Sequence, residues 1–293
     1  MSAVAPTRPV SGHATWLGRA LERTLILYLP LALVVVFLLI PFYWMVVTSL
    51  KPNSELYNGA ANPLYVQAPS LEHFVYLFAK TQFLAWTINT FQVSILATAI
   101  SLFFGVPAGY ALAKLRFRGA GPIGLAVFIT YLVPTTLLFI PMIQVINRIG
   151  LLDSIWALVV VYPTFLLPFC TWLMSGYFKT IPAELEECAR IDGASRIVAM
   201  LRIAFPLAMP GIVSAGIFCF TLSWNEFIYA LTFIQSSENK TVPVGVLTEL
   251  VRSDVYEWGA LMAGALIGSL PVVILYSFFV EHYVSSMTGA VKE

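Results

Sequence analysis

Charged side chains are scarce in this sequence, which has 16 basic and 15 acidic residues in 293, or 11%. A soluble globular domain typically carries about 25% charged residues. Hydrophobic residues reach 59%, and the mean hydropathy is +0.85. These values exclude an ordinary soluble domain and predict a protein that lies in a lipid bilayer.

Cysteine and histidine are also rare, with three of each. Cys170 and Cys219 fall in apolar runs and Cys188 falls in a charged stretch, so we expect reduced thiols rather than disulfides. No spacing resembles a zinc or haem site. The histidines are scattered, at His13, His73 and His282.

A nucleotide-binding module is missing as well. No phosphate-binding loop of the form GxxxxGK[ST] occurs. The segments between apolar runs reach only about 30 residues, too few to sustain a core alone. If the protein uses ATP, another chain must bind it. An intramembrane enzyme is disfavoured because no Ser/His pair, paired carboxylates or metal cluster is visible.

Long charge-free runs are abundant, and a bilayer core needs roughly 20 apolar residues per helix. The sequence therefore predicts an all-α membrane protein with six transmembrane helices. The runs are Thr24–Leu50, Thr81–Ala113, Gly119–Asn147, Ser154–Phe178, Ile203–Asn225 (continuing to Ser237) and Trp258–Val280.

The basic residues predict the orientation. With the N-terminus inside, eleven Lys and Arg fall on inner segments and five on outer ones. The positive-inside rule then places both termini in the cytoplasm. We expect residues 1–22 to be a cytoplasmic tail, 23–286 the six-helix domain and 287–293 a second tail. The first run is too long for a cleavable signal peptide.

The stretch ELEECARIDGAS, residues 184–195, concentrates charge, since eight charged residues lie between Lys179 and Arg202. Pro182 suits a first helical turn, and the following glutamates complement the helix dipole. Gly193 is placed to end the helix and Ser195 to cap another. The residues alone fit either a solvated connector or a docking element with a small-residue face of Leu185, Cys188 and Ala189.

The spacing of this stretch resembles the EAA motif of permease subunits in ATP-binding-cassette importers. That pattern is E-A-A, three residues, G, nine residues, then I-x-L-P. The matching positions are Glu187, Cys188, Ala189, Gly193, Ile203, Phe205 and Pro206. Cys188 replaces an alanine and Phe205 a leucine, both modest changes. The resemblance favours the docking element.

Flanking segments resemble the second permease of carbohydrate importers of the maltose-transporter type. They are YALAKLRFRG, TVPVG, SWNEFIYAL and the C-terminal SSMTGAVKE. The resemblance implies a MetI-like type I importer fold in a bacterial inner membrane, within a binding-protein-dependent sugar importer. Implied partners are a second permease, two ATPase subunits and an extracytoplasmic sugar-binding protein, with sugar as substrate and no nucleic acid. The chain would itself hold no cofactor, because the ATPase binds ATP and magnesium.

The resemblance also assigns roles in the charged loop. It implies that Glu187 meets a basic residue of the ATPase, that Ala189 makes a close contact and that Gly193 forms a turn. The full set expected to couple to the ATPase is Glu186, Glu187, Cys188, Ala189, Asp192, Gly193, Ile203 and Pro206.

Glu226 is the only carboxylate inside an apolar run, where a charge costs at least about 2.5–3.5 kcal/mol unless solvated or paired. It could line a substrate pathway with Trp224, Asn225 and Tyr229. Equally, it could be hydrated at the outer interface or paired with another subunit. Other candidates for the pathway, or for bonds between helices, are Asn89 and Gln144.

An ion-gradient-driven secondary transporter is the alternative function. The shortage of intramembrane charge and the lack of visible paired halves disfavour it.

Overall fold

The computed structural model describes residues 24–115, 117–252 and 255–289, with side chains except at positions 252, 255 and 280–289. The fold is nearly all helical. A π-helical turn, Thr24–Tyr28, leads into α1. The helices are α1 (Leu29–Leu50), α2 (Asn53–Leu56), α3 (Glu72–Lys80), α4 (Phe83–Lys114), α5 (Ala120–Leu132), α6 (Thr135–Arg148), α7 (Ile155–Val161), α8 (Pro163–Thr180), α9 (Glu184–Ile191), α10 (Arg196–Ala199), α11 (Phe205–Leu207), α12 (Met209–Trp224), α13 (Ile228–Phe233), α14 (Val242–Leu250) and α15 (Trp258–Gly289).

Further short elements connect these helices. A π-helical turn, Met200–Ala204, joins α10 to α11, and a 3₁₀ turn, Ser237–Asn239, precedes α14. Strands β1 (Val251–Arg252) and β2 (Val255–Tyr256) pair antiparallel. This short hairpin differs from the predicted all-α fold.

Four helical stretches are long and apolar enough, by length and composition, to cross a membrane. They are Thr24–Leu50, Phe83–Lys114, Ile155–Thr180 and Trp258–Phe279. Two bent pairs raise the number to six if each pair is one span: α5 with α6, and Arg196–Leu207 with α12. All six coincide with predicted runs, but two are not straight.

The sharper bend, 93°, lies between α5 and α6. Val133 is extended, with φ −68° and ψ 124°, because the ring of Pro134 disfavours a helical residue before it. The second bend, 73°, lies before α12, where Pro210 stands near its start. Both prolines lack the N–H that a continuous helix would use.

The core is built on a close approach of α4 and α8. A Cβ added at Gly105 would lie 2.8 Å from Cys170 Sγ. One added at Gly109 would lie 2.7 Å from Met174 Cβ and 2.9 Å from the backbone nitrogen of Ser175. The glycines are four residues apart, the small-residue spacing that lets helix backbones meet in a membrane. These two helices therefore form the packed centre of the bundle.

The helix α1 lies at the periphery and packs against α15 and α3. None of its most apolar 18-residue window is buried within the chain, and Phe37 is 73% exposed. Only Val47, Thr48 and Ser49 of α1 are buried.

The Phe83 end of α4 joins a second, smaller cluster with α3, α14 and α15. Trp86 lies against Gly245, and its Nε1 donates to the carbonyl of Ser237 at 2.7 Å. His73, on α3, is buried against Gly259. This cluster organises what we call the distal end, opposite the Lys114 end of α4.

Asp153, at the distal end, ties two loops together. It adopts a left-handed conformation, φ 58°, and its Oδ1 accepts from the backbone nitrogens of Gln235 and Ser236 at 2.9 and 2.8 Å. The hydroxyl of Ser236 donates to Oδ2 of Asp153, and Asn239 Nδ2 donates to the backbone carbonyl of Asp153 at 2.7 Å. These bonds connect the α6–α7 turn to the segment after α13.

Candidate functional site

The charged loop between α8 and α12 forms the helix that its sequence predicts. Three glutamates occupy the first turn of α9 and Arg190 the last, in agreement with the helix dipole. Gly193 has φ 92°, and its N–H donates to the carbonyl of Arg190 at 3.2 Å. The N–H of Ala194 donates to the carbonyl of Ala189 at 2.9 Å. This pair of bonds is the Schellman motif, which favours glycine because it needs a left-handed residue.

The chain turns directly into α10. Ser195 caps this helix, with its Oγ accepting from the backbone nitrogen of Val198 at 3.3 Å. Asp192, the C-terminal cap of α9, is exposed. Ile203 is half-buried in the π-helical turn, and Pro206 is exposed in α11. The predicted coupling residues therefore lie along one continuous loop.

Several apolar side chains of this loop are exposed among its charged ones. Ile191 is 85% exposed and Ile197 66% exposed, beside exposed Leu185 and Cys188. Glu187 is exposed as well, whereas Ala189 is half-buried. We call Leu185, Glu187, Cys188, Ile191 and Ile197 the outer patch. Apolar side chains gathered in this way on a charged loop are typical of a protein contact surface.

Glu186 lies on the other side of α9 and is 8% exposed. The hydroxyl of Tyr110 donates to its Oε2 at 2.6 Å, and Lys114 Nζ lies 3.7 Å from its Oε1. Both partners belong to the last turns of α4. Glu186 was expected among the ATPase-coupling residues, but its carboxylate contacts this chain instead of facing outward.

Glu226, the carboxylate predicted to lie in an apolar run, caps α13. Its Oε1 accepts from the backbone nitrogen of Tyr229 at 2.8 Å, and its Oε2 accepts from that of Ala230 at 3.1 Å. The hydroxyl of Tyr162 donates to Oε2 at 2.7 Å. The helix N-terminus and one tyrosine therefore compensate this carboxylate within the chain.

Two aromatic candidates for the pathway are buried. Trp224 is 3% exposed, stacks on Phe220 with ring centroids 5.5 Å apart, and donates from Nε1 to the carbonyl of Gly268 at 3.0 Å. Tyr229 is 1% exposed and donates to the carbonyl of Thr135 at 3.1 Å. Their rings pack between helices of this chain.

The polar candidates occupy different places. Asn89 Nδ2 donates to the carbonyls of Glu238 and Lys240, at 2.7 and 3.0 Å, and so fastens the segment before α14. Asn225 is exposed beyond the end of α12, and Gln144 is exposed on α6. Of the six predicted pathway residues, these last two present exposed polar side chains.

Sequence reasoning overlooked Tyr110 and Lys114 as partners of α9, and Gly105 and Gly109 as the α4–α8 contact. The G-x-x-x-G spacing in FFGVPAGY was the signal for the glycines. For Tyr110, the i, i+4 spacing to Lys114 at a helix end indicated a shared face. Nothing in the sequence identified Glu186 as the residue that this face meets.

The broken, glycine-packed helical bundle with an exposed charged loop is the architecture of a polytopic membrane protein. Residues 105–289 match the family model described as binding-protein-dependent transport system inner membrane component. The chain belongs to this family, whose members are transport subunits and in which a separate chain is the ATPase. It is a multi-pass inner-membrane protein with the MetI-like fold of importer permeases.

Named relatives cover nearly the whole chain. It is 36% identical over 268 residues to the inner membrane ABC transporter permease protein YcjP of Escherichia coli K12, covering 90% of this chain and 95% of that protein. It is 33% identical over 263 residues to the trehalose transport system permease protein SugB of Mycobacterium tuberculosis CDC 1551, covering 89% and 94%. A crystal structure of a bacterial ABC transporter that imports the acidic polysaccharide alginate contains a similar fold, with a TM-score of 0.73, 21% identity and coverage of 94% and 99%.

Proposed function

We propose that this chain is the membrane-spanning subunit of an ATP-driven, binding-protein-dependent sugar importer. It would form half of the translocation pathway with a second, non-identical permease subunit. Two copies of an ATPase would bind ATP and magnesium, and an extracytoplasmic sugar-binding protein would deliver the substrate.

The outer patch is the observation that carries this proposal. A short helix is marginal on its own, yet α9 has a complete glycine stop and exposes apolar side chains. Such a surface fits a groove on a partner protein. Glu187 is exposed beside it, where a basic residue of the ATPase could pair with its carboxylate.

The proposed topology has six spans with both termini in the cytoplasm. Each bent helix pair then counts as one span, and α9 lies on the cytoplasmic side with the excess of basic residues. The proposed tail 1–22 lies outside the described residues. The proposed C-terminal tail starts at 287, but α15 continues to Gly289 and residues 290–293 lie outside the described part.

Sugar is the proposed substrate class. SugB carries trehalose transport in its name, and the flanking motifs resemble carbohydrate permeases. Gln144, on one broken span, and Asn225, just past the end of the other, are exposed and polar and are the best candidates for contact with substrate or with the second permease. Trp224, Glu226, Tyr229 and Asn89 would act on the pathway by shaping it.

Substitution of Glu187 tests the proposal. Glu187→Lys should reduce co-purification of the ATPase and abolish uptake while the protein still inserts in the membrane, because it reverses charge on the outer patch. Glu184→Lys is the matched control, since Glu184 is an exposed glutamate in the same helical turn. Normal uptake by Glu187→Lys, or equal losses in both variants, would contradict the docking role.

The energy source separates this proposal from a secondary transporter. Uptake should stop when cellular ATP is depleted and should persist when an ionophore collapses the ion gradients. The opposite pattern would refute ATP-driven import.

A further inference from the structure

The inner side of α9 presents a set of contacts separate from the outer patch. The carboxylate of Glu186 is nearly buried, and so are the two groups that contact it, the Tyr110 hydroxyl and the Lys114 amine. Burying a carboxylate is costly unless it is paired and hydrogen-bonded. We call these three residues the Glu186 clamp.

Two of the three clamp residues belong to the last turns of α4. Tyr110 and Lys114 are four residues apart on α4, so they lie on the same helical face. Lys114 Nζ also donates to the carbonyl of Ile181, the residue that ends α8. One lysine thus contacts the end of α8 and the first turn of α9.

Aromatic packing places Tyr110 where three spans meet. Its ring lies edge-on to Phe178 of α8, with centroids 5.4 Å apart, and to Phe205 of α11 at 6.4 Å. Phe178 and Phe205 contact each other at 5.9 Å. The hydroxyl that holds Glu186 is therefore fixed by rings from the helices on both sides of the loop.

We propose that the Glu186 clamp fastens the coupling helix α9 to α4 and α8, so that the three move as one body when the ATPase closes. This inference rests on the proposed function, because it assumes that the outer patch docks on an ATPase. The two faces of α9 then have separate tasks: the outer patch receives the motion, and Glu186 transfers it to the spans. Tyr110 and Lys114 are positioning residues in this scheme.

A distance measurement on the complete transporter tests the clamp. In a Cys188→Ser background, spin labels are attached to an Arg190→Cys variant, at an exposed position of α9 that is not in the outer patch, and to a Phe103→Cys variant, since Phe103 is 73% exposed on α4. The separation is measured by pulsed electron resonance without nucleotide and after trapping with ATP and vanadate. With the clamp intact, one narrow separation should persist in both states.

The clamp variants should lose that narrow separation after trapping. Glu186→Gln removes the charge, Tyr110→Phe removes only the hydroxyl and keeps the ring packing, and Lys114→Arg should behave as the parent. Because Tyr110 and Glu186 share one hydrogen bond, combining their variants should add little to either alone. Glu184→Gln, the same change at an exposed residue of α9, should have no effect.

Three outcomes would overturn the inference. In the first, the parent separation changes on trapping, so α9 and α4 move apart. In the second, Tyr110→Phe and Glu186→Gln keep the narrow separation. In the third, these variants release the ATPase as Glu187→Lys does, which would make the inner side part of the docking face. If the ATPase fails to associate even with the parent chain, the proposed function fails, while the separations measured without nucleotide still report on the clamp.

Discussion

Glu226 shows how a largely buried carboxylate can be held by hydrogen bonds, with no salt bridge among the described residues. Two backbone N–H groups and the Tyr162 hydroxyl bond its oxygens. The two backbone bonds lie at the start of α13, just after α12 has ended, and the Tyr162 bond reaches it from the junction of α7 and α8. Glu226, predicted as a candidate substrate contact, thus uses its carboxylate to cap α13 directly after the end of α12.

Glu226→Gln should therefore affect stability more than transport affinity. We expect a loss of about 1–2 kcal/mol, because an amide oxygen is a weaker acceptor than a carboxylate. Thermal unfolding of the purified chain and the half-saturating concentration for uptake are the measurements. Asn225→Ala, at the exposed neighbour, should show the reverse pattern. An altered affinity with unchanged stability in Glu226→Gln would contradict this assignment.

Asp153 should give stability a defined dependence on pH. Hydrogen bonds from Ser236, first through its hydroxyl and then its backbone, hold the pKa of Asp153 below its usual value. A carboxyl whose folded-state pKa is lowered stabilises the fold above its unfolded pKa of about 3.9, and that stability is lost as pH falls through the folded pKa.

In Asp153→Asn, thermal stability should vary less with pH below about 4 than in the parent. Asparagine tolerates the left-handed backbone of this position, so the substitution isolates the charge. Ser236→Ala should give an intermediate profile. Identical pH profiles for parent and Asp153→Asn would contradict the cause assigned to the lowered pKa.

Among the elements, α9 depends most directly on its own sequence. Its acidic first turn, its glycine stop and the cap of the next helix all involve residues within a few positions of each other. Such local signals predicted the helix correctly. The contact between Tyr110 and Glu186 joins residues 76 positions apart, and no local rule predicts which buried tyrosine meets which glutamate.

The stop at Gly193 offers a test of the element. Gly193→Ala should cost about 1–2 kcal/mol of local stability, because an alanine Cβ disfavours the left-handed conformation. Nothing lies within 4 Å of a Cβ added at this position, so a clash with other residues plays no part. ATPase co-purification should fall. Gly176→Ala is the matched control, with equally open space and an ordinary helical backbone. Equal behaviour of the two variants would contradict the need for a left-handed residue.

The bent spans mark the limit of prediction at this scale. Apolar length located the segments, and Pro134 stands at the break between α5 and α6. The 93° bend itself depends on how α5 and α6 pack on other helices, including the bond from Tyr229 to the Thr135 carbonyl. Hydropathy depends only on the residues in a segment and not on such contacts. It therefore predicts where apolar segments lie but not the angle at which a segment bends.

For the whole molecule, composition predicted the membrane environment because the charge deficit is a property of the entire chain. Which surfaces meet lipid and which meet another subunit depends on chains outside this sequence. The basic residues predict the orientation across the bilayer, and native cysteines allow that prediction to be tested.

Cys188 should be modified by a membrane-impermeant maleimide in inside-out vesicles and not in intact cells. Cys170 and Cys219 are buried and should remain unmodified without denaturant. Glu238→Cys, at an exposed distal position, should react in intact cells. Bound ATPase should protect Cys188, because it would cover the outer patch. Labelling of Cys188 in intact cells would contradict the proposed topology.

The packing of α1 on α15 joins the first span of the chain to its last. About 200 residues separate the two, and at about 5–20 residues per second a ribosome needs roughly 10–40 s to synthesise them. During that interval the first helix has already entered the membrane and has only lipid, or the insertion machinery, along most of its length. The contact between α1 and α15 therefore forms only after α15 has been synthesised, and a nascent chain that stops earlier leaves α1 without this contact.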